Sequence, residues 1–464
     1  EESTFALWKV AKGLPVYADP YTPPFAASHY NWLFFAIYGT TAAVVQHLAN
    51  LGDAWLPTIG RFPSLVFSLI GTILGYVAWR PALASLGTQG HVLGASLAGF
   101  VFFGPLMGFW AISINPELPA TVLGLAAVVV CLSYYRQKPV AAVLAASLLS
   151  YMAWSCKQSH VFVAVALGLF LILRGDWRHL AILLGVHLLL VAATLALGSE
   201  TYRLMIVYYL PLLGKMLGIA PSGFVTDSAT LVRNLSNLAA KAGPLLAFAA
   251  ALPWLLCRRG DAWRQAIADD RVSLALCGVL VSAALAIPAS AKVGAAENYY
   301  FPLTMFLAYF LVALWPHLSL RPQTARIAFA ILGVGWMVNA AACAAVLGGK
   351  AGVLSVRPWH EKLSAQRDCI VGTPGPRFLA QTHLAVPWIN PTGPYFVYSY
   401  NYVRDRHAGY AFPQGGIGDM IATGYFATLI MAEGSPAEFD GAGFGRYTLT
   451  PSTCAGLSIY RRAE

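Results

Sequence analysis

The sequence has few charged residues and especially few acidic ones. Asp and Glu together contribute 20 of 464 residues, and all charged residues amount to 11%. Soluble domains contain about 25% charged residues, so this composition does not suit a water-soluble protein. The hydrophobic fraction is 58% and the mean hydropathy is +0.62. These values indicate a polytopic α-helical membrane protein.

Cysteine motifs that bind metals are also missing. None of the seven cysteines belongs to a CxxC pair or to a Cys/His spacing typical of zinc sites. Cys369 and Cys454 lie in the polar C-terminal part, so they are candidates for a disulfide if that part faces an oxidising compartment. The other five lie in or beside apolar runs, where we expect small packing residues: Cys131, Cys156, Cys257, Cys277 and Cys343.

The net charge of +10 does not indicate a nucleic-acid partner. The basic residues are spread over short loops between apolar runs, as in membrane proteins whose loops orient the helices. A helix needs roughly 20 apolar residues to cross about 30 Å of hydrocarbon. Ten runs meet or nearly meet this length: 61–79, 91–109, 118–135, 139–155, 160–174, 179–197, 241–257, 272–289, 299–315 and 326–346.

The charges of the loops predict which side of the membrane each loop faces. Alternate loops carry most of the basic residues: Arg80, Arg136, Lys138, Arg174, Arg178, Arg258, Arg259, Arg264, Arg271, Arg321 and Arg326. The opposite loops carry few, notably Lys157 and Lys292. Because basic loops stay in the cytoplasm, we expect the C-terminal part and four loops to face outward: 113–117, 155–160, 198–238 and 289–298.

The apolar stretch at 31–45 leaves the side of the N-terminus open. If it crosses the membrane, the N-terminus is cytoplasmic, and if it lies along the interface, the N-terminus faces outward. Segment 3–14 has apolar residues at roughly helical spacing, which suits an interfacial helix and slightly favours the second arrangement. The chain also begins without Met. We therefore expect an upstream segment, such as a first membrane helix, to be missing.

The C-terminal part has a different composition from the rest. Residues 350–464 contain more Gly, Pro and polar residues and no run long enough to span a membrane. Aromatic or β-branched segments bounded by turn residues predict strands at 395–403, 425–432, 446–450 and 457–462. We expect a transmembrane domain at 1–349, whose first outer loop is 1–60, and a small extracytoplasmic α/β domain at 350–464.

Polar residues beside the outward ends of the apolar runs are candidates for a functional site. A charge at the bilayer centre costs about 2.5–3.5 kcal/mol on insertion scales and less near the interface, so such residues need an explanation. Glu117 and Arg61 each begin a span, and Lys157 lies in a tight hairpin. Four further candidates lie in or directly after the 289–298 loop: Lys292, Glu297, Asn298 and Tyr299. His29 and Tyr30 precede the 31–45 stretch.

Each candidate also has a purely structural explanation. A carboxylate such as Glu117 favours a helix N-terminus, and a lysine such as Lys157 can extend towards lipid headgroups. The group at 297–299 is compatible with an ordinary interfacial turn, and His29 with a hydrogen-bonded interfacial histidine. Together, however, the outward carboxylates and cations suit transfer from a phosphate leaving group. A carboxylate can take the proton of an attacking hydroxyl, and cations or a metal can stabilise the departing phosphate.

Several segments within residues 1–315 resemble GT-C glycosyltransferases of the protein-mannosyltransferase and aminoarabinose-transferase superfamily. In that family an acidic pair follows the first membrane helix. A "G-x-x-x-Y" segment, a Pro-rich stretch and an Arg at the start of a span come next. Here Glu1 and Glu2 precede "GLPVYADPYTPPF" and "GRFPS". "NPELPATVLGL" is similar to the second acidic position. "CKQSHVFVAVALGLFLILR" and "SAKVGAAENYYFPL" resemble motifs of the bacterial branch that includes Rgt-type galacturonosyltransferases.

The resemblance implies a GT-C fold with about 10–11 spans and an inverting transferase that uses a polyprenyl-phosphate monosaccharide. Glu1 or Glu2 would be the catalytic base, and Glu117 would lie near the donor or the acceptor. The donor phosphate would be contacted by three cations: Arg61, Lys157 and Lys292. The substrate would be bound by the remaining candidates: His29, Tyr30, Glu297, Asn298 and Tyr299. Because the acidic pair must face outward, 31–45 would be interfacial. The implied location is a bacterial inner membrane, with the site and the C-terminal domain in the periplasm.

Two other classes of protein compete with this interpretation. A lipid or small-molecule transporter or flippase often has internal repeats and broken mid-membrane helices, but the sequence shows no convincing repeat and the unusual charges lie in loops. A scaffold protein would leave the outward charges unexplained. The sequence contains no DxD-type metal motif, although a divalent cation between Glu117 and a loop carboxylate remains an option. It does not identify the sugar or the lipid, glycan or protein acceptor.

Overall fold

The chain is mostly helical and ends in a small β-sheet. A computed structural model describes residues 2–19, 21–23, 25, 28, 30–208, 226–257, 261–292, 295–318, 333–335, 337–338, 341, 345, 356–380, 395–397, 402, 406, 410–432, 444–450, 454 and 456–463. The statements below concern these residues.

Fifteen α-helices have defined bounds in the described part of the chain. The first nine are α1 Glu2–Ala11, α2 Trp32–Ala49, α3 Leu56–Leu83, α4 Gly87–Phe103, α5 Glu117–Tyr134, α6 Pro139–Cys156, α7 Phe162–Leu173, α8 Trp177–Leu197 and α9 Glu200–Tyr208. The remaining ones are α10 Ser228–Cys257, α11 Asp261–Ala268, α12 Asp270–Ser290, α13 Phe301–Leu314, α14 Val356–Val371 and α15 Gly416–Ala422. Short 3₁₀ helices connect several of them, including Gln158–Val161 and Glu297–Tyr300.

Seven helices in the described part of the chain are long and apolar enough to cross a membrane. They correspond to α2, α3, α5, α6, α8, α12 and the Glu297–Leu318 segment that contains α13. The predicted run at 160–174 forms a shorter apolar helix, Gln158–Leu173, and the run at 91–109 forms the 17-residue α4. The run at 326–346 lies largely outside the described residues. Since α2 has the length and composition of a span, the interfacial placement of 31–45 stays a prediction.

Ionic contacts gather at the end of the bundle opposite the start of α5. Asp270, at the start of α12, binds both Arg136, at 2.6 Å, and Arg174, at 3.0 Å. Asp176 accepts hydrogen bonds from the Tyr135 hydroxyl and from His179 Nδ1. These residues come from the loops that the charge pattern assigns to one side of the membrane. The 18 residues of α5 separate them from Glu117 by about 27 Å at 1.5 Å per residue, close to one hydrocarbon thickness.

The C-terminal sheet has five strands in the order β2-β1-β3-β5-β4. Its strands are β1 Arg377–Leu379, β2 Tyr395–Val397, β3 Thr428–Ala432, β4 Tyr447–Leu449 and β5 Leu457–Arg462. β1 pairs in parallel with β2 and β3, whereas β5 pairs antiparallel with β3 and β4. The four predicted strands are present, and β1 was not predicted. A disulfide between Cys369 and Cys454 links α14 to the residues before β5.

Close packing of α12 against α13 depends on a glycine. A Cβ atom built on Gly278 would overlap the ring of Phe306, so the missing side chain is what allows the two helices to approach. We predict that Gly278→Ala destabilises the protein by about 1–3 kcal/mol through overpacking. The measurement is thermal unfolding of the detergent-solubilised protein. Gly243→Ala in α10 is the matched control, because a Cβ there meets no atom within 4 Å. Its expected effect is a gain of roughly 0.5–1 kcal/mol from helix propensity. Equal melting temperatures for the two variants would contradict the prediction.

Asp176, which caps the N-terminus of α8, makes the stability of this end of the bundle pH-dependent. Burial acts to raise its pKa, but hydrogen bonds from Tyr135 and His179 outweigh burial and the pKa is lowered. A carboxyl with a lowered pKa stabilises the folded state above the unfolded value of about 3.9. That contribution disappears as the pH falls through the folded pKa. Asp176→Asn should therefore reduce the unfolding free energy by about 1 kcal/mol at pH 7. Melting curves from pH 7 to 3 should show this difference shrink. If the difference in stability between wild type and Asp176→Asn did not change with pH, the charge of the carboxylate could not be its cause.

Candidate active site

Glu117 is a buried carboxylate at the N-terminus of α5. Pro116 precedes it, and proline suits the start of a helix because it needs no backbone N–H partner there. The Asn115 side chain accepts a hydrogen bond from the backbone N–H of Leu118 and closes the first turn. The positive end of the helix dipole also favours a negative charge at this position. Only 1% of Glu117 is exposed, so water does not compensate its charge and neighbouring side chains must.

Lys157 provides the opposite charge for Glu117. It ends α6 in an extended conformation, and its Nζ donates to Glu117 Oε1. Both side chains are buried. Removing one partner from such a pair leaves an uncompensated charge and typically costs about 3–5 kcal/mol, whereas replacing both partners by neutral residues of similar volume is often tolerated. The pair therefore fixes the α6 hairpin to the start of α5.

Three consecutive residues of the 3₁₀ helix at 297–300 complete the cluster. Asn298 donates from Nδ2 to Glu117 Oε1, and the ring of Tyr299 lies 4.9 Å from Lys157 Nζ, in a cation–π contact. Glu297 forms a separate ion pair with Lys241 of α10. One short helix thus connects α5, the end of α6 and α10.

The cluster contains buried acceptor atoms that the described residues leave unused. Within them, Glu117 Oε2 and Asn298 Oδ1 have no hydrogen-bond partner. His160, three residues after Lys157, has a similar unfilled position at Nδ1, while its Nε2 lies 3.2 Å from the Thr121 hydroxyl. Buried polar atoms are normally satisfied. Acceptors in this state suit a ligand that carries hydroxyl or other donor groups.

Arg61 and Lys292, the other two predicted phosphate contacts, lie on α3 and just after α12. Arg61 is on α3, one turn before Ser64, and the Ser64 hydroxyl donates to the carbonyl of Ser113 in the loop that leads to Glu117. This bond places the start of α3 at the same end of the bundle as Glu117. Lys292 follows α12 and forms a β-bridge with Thr226.

The aromatic and acidic candidates before α2 have different positions. Tyr30 packs edge-on against Phe34 at 5.4 Å between ring centroids, so its ring belongs to the packing around α2. Glu2 is the first residue of α1, although its side chain lies outside the described set. Glu1 and His29 also lie outside the described residues.

Helix α1 nevertheless lies next to the buried ion pair. Ala6 and Leu7 of α1 belong to one apolar cluster with Ala120 of α5 and Cys156 of α6. Ala120 is one turn from Glu117, and Cys156 directly precedes Lys157. Helix α1, whose first residue is Glu2, therefore belongs to the apolar cluster that contains residues next to both members of the ion pair.

Lys241 is the site residue that the sequence did not reveal. It lies within α10, at the start of an apolar run, and a lysine at such a position is an unpaired charge in need of a partner. Its position at the start of an apolar run could have marked Lys241 as a candidate. Its partner Glu297 is 56 residues away, so nothing in the sequence indicates the pair. No group of three or more His, Cys, Asp or Glu side chains that could hold a metal occurs among the described residues.

Comparisons with known proteins identify the fold. No family model and no curated protein matches the sequence. The chain is similar to the structure of ArnT, an aminoarabinose transferase from Cupriavidus metallidurans, bound to undecaprenyl phosphate. Identity is 12% and the TM-score 0.53, over 99% of this chain and 92% of that one.

A second similar structure is the oligosaccharyltransferase of Archaeoglobus fulgidus in complex with Zn and sulfate. Identity is 11% and the TM-score 0.52, over 99% of this chain and 68% of that one. Both proteins are GT-C family members. The chain is thus an integral membrane protein, and it has the GT-C fold with a small C-terminal sheet.

Proposed function

We propose that this protein is an inverting glycosyltransferase that moves a monosaccharide from a polyprenyl-phosphate donor to a lipid, glycan or protein acceptor on the outer face of the membrane. The observation that carries the proposal is the buried cluster of Glu117, Lys157 and Asn298, which combines a cation with unfilled acceptor atoms. The fold supports it, since a similar structure was solved with undecaprenyl phosphate. A bacterial inner membrane with the site and residues 350–464 in the periplasm agrees with the loop charges.

The proposed reaction needs one base and several cations. A carboxylate of the acidic pair, Glu1 or Glu2, takes the proton of the acceptor hydroxyl, and the hydroxyl oxygen attacks the anomeric carbon of the sugar. The bond between that carbon and the phosphate oxygen breaks, and the polyprenyl phosphate leaves with the bonding electrons. Attack from the face opposite the phosphate inverts the configuration at the anomeric carbon.

In the proposed site, the cations stabilise the leaving group and the acceptor atoms bind the substrate. Lys157, with Arg61 and Lys292 nearby, stabilises the negative charge that develops on the departing phosphate. Glu117 and Asn298 accept hydrogen bonds from hydroxyl groups of the substrate. We also propose substrate contacts for four further residues: His29, Tyr30, Glu297 and Tyr299.

Loss of Lys157 should weaken binding of the lipid phosphate. Because a charge-assisted hydrogen bond contributes about 1.5–3 kcal/mol, we expect the affinity for undecaprenyl phosphate in nanodiscs to fall about 10- to 100-fold. Lys157→Met alone would leave Glu117 charged and unpaired, so the informative variant is Lys157→Met/Glu117→Gln, which removes both charges. Its melting temperature reports whether the fold is intact. Lys138→Met is the matched control, since Lys138 is exposed in the loop before α6. Unchanged binding in a folded double variant would refute the role of Lys157.

Loss of the acidic pair should stop the chemistry and leave donor binding intact. General-base catalysis contributes about 10²–10⁴ in rate, so we expect Glu1→Gln or Glu2→Gln to reduce sugar transfer by that factor. The assay uses radiolabelled synthetic polyprenyl-phosphate sugars, and undecaprenyl phosphate binding serves as the control for intact protein. Full transfer by both single variants and by the double variant would exclude the pair as the base. A wild-type protein that moves the lipid between leaflets without transferring sugar would favour a flippase.

A further inference from the structure

The loop between α1 and α2 is fixed at its base to the membrane domain. The Ser28 hydroxyl donates to the carbonyl of Val16 at 2.9 Å, and the Tyr17 hydroxyl donates to the carbonyl of Tyr30 at 3.1 Å. These bonds bring the two ends of the loop together. The Tyr17 ring packs on Tyr202 of α9, with 5.0 Å between centroids. The loop therefore leaves and re-enters the bundle at one place.

Two aromatic residues further along the loop are packed in the C-terminal domain. Tyr21 lies 4.6 Å from the ring of Tyr410. Phe25 lies 5.5 Å from Tyr402 and 5.3 Å from Phe412. We call Tyr402, Tyr410 and Phe412 the aromatic socket. Only 1% of Phe25 is exposed, and it belongs to the same apolar cluster as strand and helix residues of the domain: Phe378, Ile417, Met420 and Leu429.

The backbone of Phe25 indicates that this contact is specific. Its φ angle is +59°, a left-handed conformation that bulky residues rarely adopt. Such strain persists only where the surroundings over-determine the position of the residue. The burial of the ring in the aromatic socket provides that constraint.

A second contact connects α1 itself to the C-terminal domain. Phe5, one turn after Glu2, packs against an apolar cluster that includes Cys454 of the disulfide and residues of α14 and the sheet: Ile370, Leu379, Ile430, Leu457 and Ile459. Three residues later, Trp8 contacts the membrane domain, and its indole N–H donates to Asp53 at 2.9 Å. α1 is thus held between the two domains.

We infer that the C-terminal domain positions α1 and the loop after it. Phe25 is the positioning residue in the loop. The ring of Phe25 fixes the loop to the aromatic socket, and Phe5 holds α1 against the same domain. The part of the inference that concerns catalysis rests on the proposed function, because Glu2, one of the two proposed bases, is the first residue of α1. Loss of the Phe25 ring releases the loop that continues α1 and so loosens α1, while the direct bonds of Glu117 with Lys157 and Asn298 remain.

The test compares Phe25→Ala with wild type in the full-length protein, reconstituted in nanodiscs. Hydrogen–deuterium exchange is measured on peptides from residues 2–19, together with binding of undecaprenyl phosphate and transfer from a synthetic polyprenyl-phosphate sugar. We expect faster exchange in α1, unchanged binding, and a loss of transfer on the order of 10²-fold, as for a misplacement of about 1 Å. Tyr425→Ala is the matched control, an aromatic truncation in the same part of the chain at a residue that is 43% exposed, compared with 1% for Phe25.

A third variant distinguishes the effect of losing the ring from the effect of the backbone strain at residue 25. Phe25→Gly relieves the strain at φ +59° but also lacks the ring, so we expect it to behave like Phe25→Ala. Wild-type exchange in α1 for either variant would overturn the inference. A wild-type protein without transfer activity would refute the proposed function instead, and the exchange data would still decide whether Phe25 positions α1.

Discussion

The buried carboxylate of Glu117 constrains the arrangement of everything around it. An ionised carboxylate removed from water pays a desolvation cost of several kcal/mol even after relaxation, and it is tolerated only with a paired charge and further hydrogen bonds. Lys157 supplies the charge from the end of α6, and Asn298 supplies a hydrogen bond from the 3₁₀ helix before α13. Because both donors use Oε1, the second oxygen of Glu117 stays available within the described structure. The contacts that stabilise the buried charge therefore also leave it able to accept a hydrogen bond from a substrate.

The same constraint separates the charges of the membrane domain into two groups. At one end, Glu117 pairs with Lys157, and at the other, Asp270 pairs with Arg136 and Arg174. The intervening lengths of α5, α6 and α12 are apolar and pack mainly through small residues such as Gly278. Without a hydrophobic driving force in lipid, helices associate through close packing and hydrogen bonds. The helix ends then carry the specific polar contacts, and the candidate site lies at the end that contains Glu117 Oε2 and Asn298 Oδ1, two buried acceptors without a partner in the described structure.

The sequence predicted the helical membrane class, four of the five strands, and Glu117, Lys157, Asn298 and Tyr299 as candidates. The structure confirms the membrane class and the strands, and it brings the four residues together, whereas their role in a site stays a prediction. They were singled out because a polar residue beside an apolar run is costly unless it has a partner. Partners were harder to predict: Glu297 binds Lys241, which belongs to a distant helix, and Tyr30 packs against Phe34. β1 lies in "GPRFLAQ", where Phe378 has no aromatic or β-branched neighbour that would mark a strand, unlike the segments that contain the other four strands. The 31–45 stretch forms α2, whose length and composition do not distinguish a spanning from an interfacial helix.

Helix α1 brings residues from the two ends of the chain into contact. It has ten residues, and isolated helices shorter than about 12–15 residues are marginal in water. Its stability therefore depends on tertiary contacts on more than one face. Trp8 supplies the contact with the membrane domain, and Phe5 supplies the contact with the cluster around Cys454. The residues that receive Phe5 are more than 360 positions further along the chain, so local sequence could not have indicated them. A helix of this length is held in place by contacts with distant parts of the chain, and the cluster around the C-terminal sheet supplies one of them.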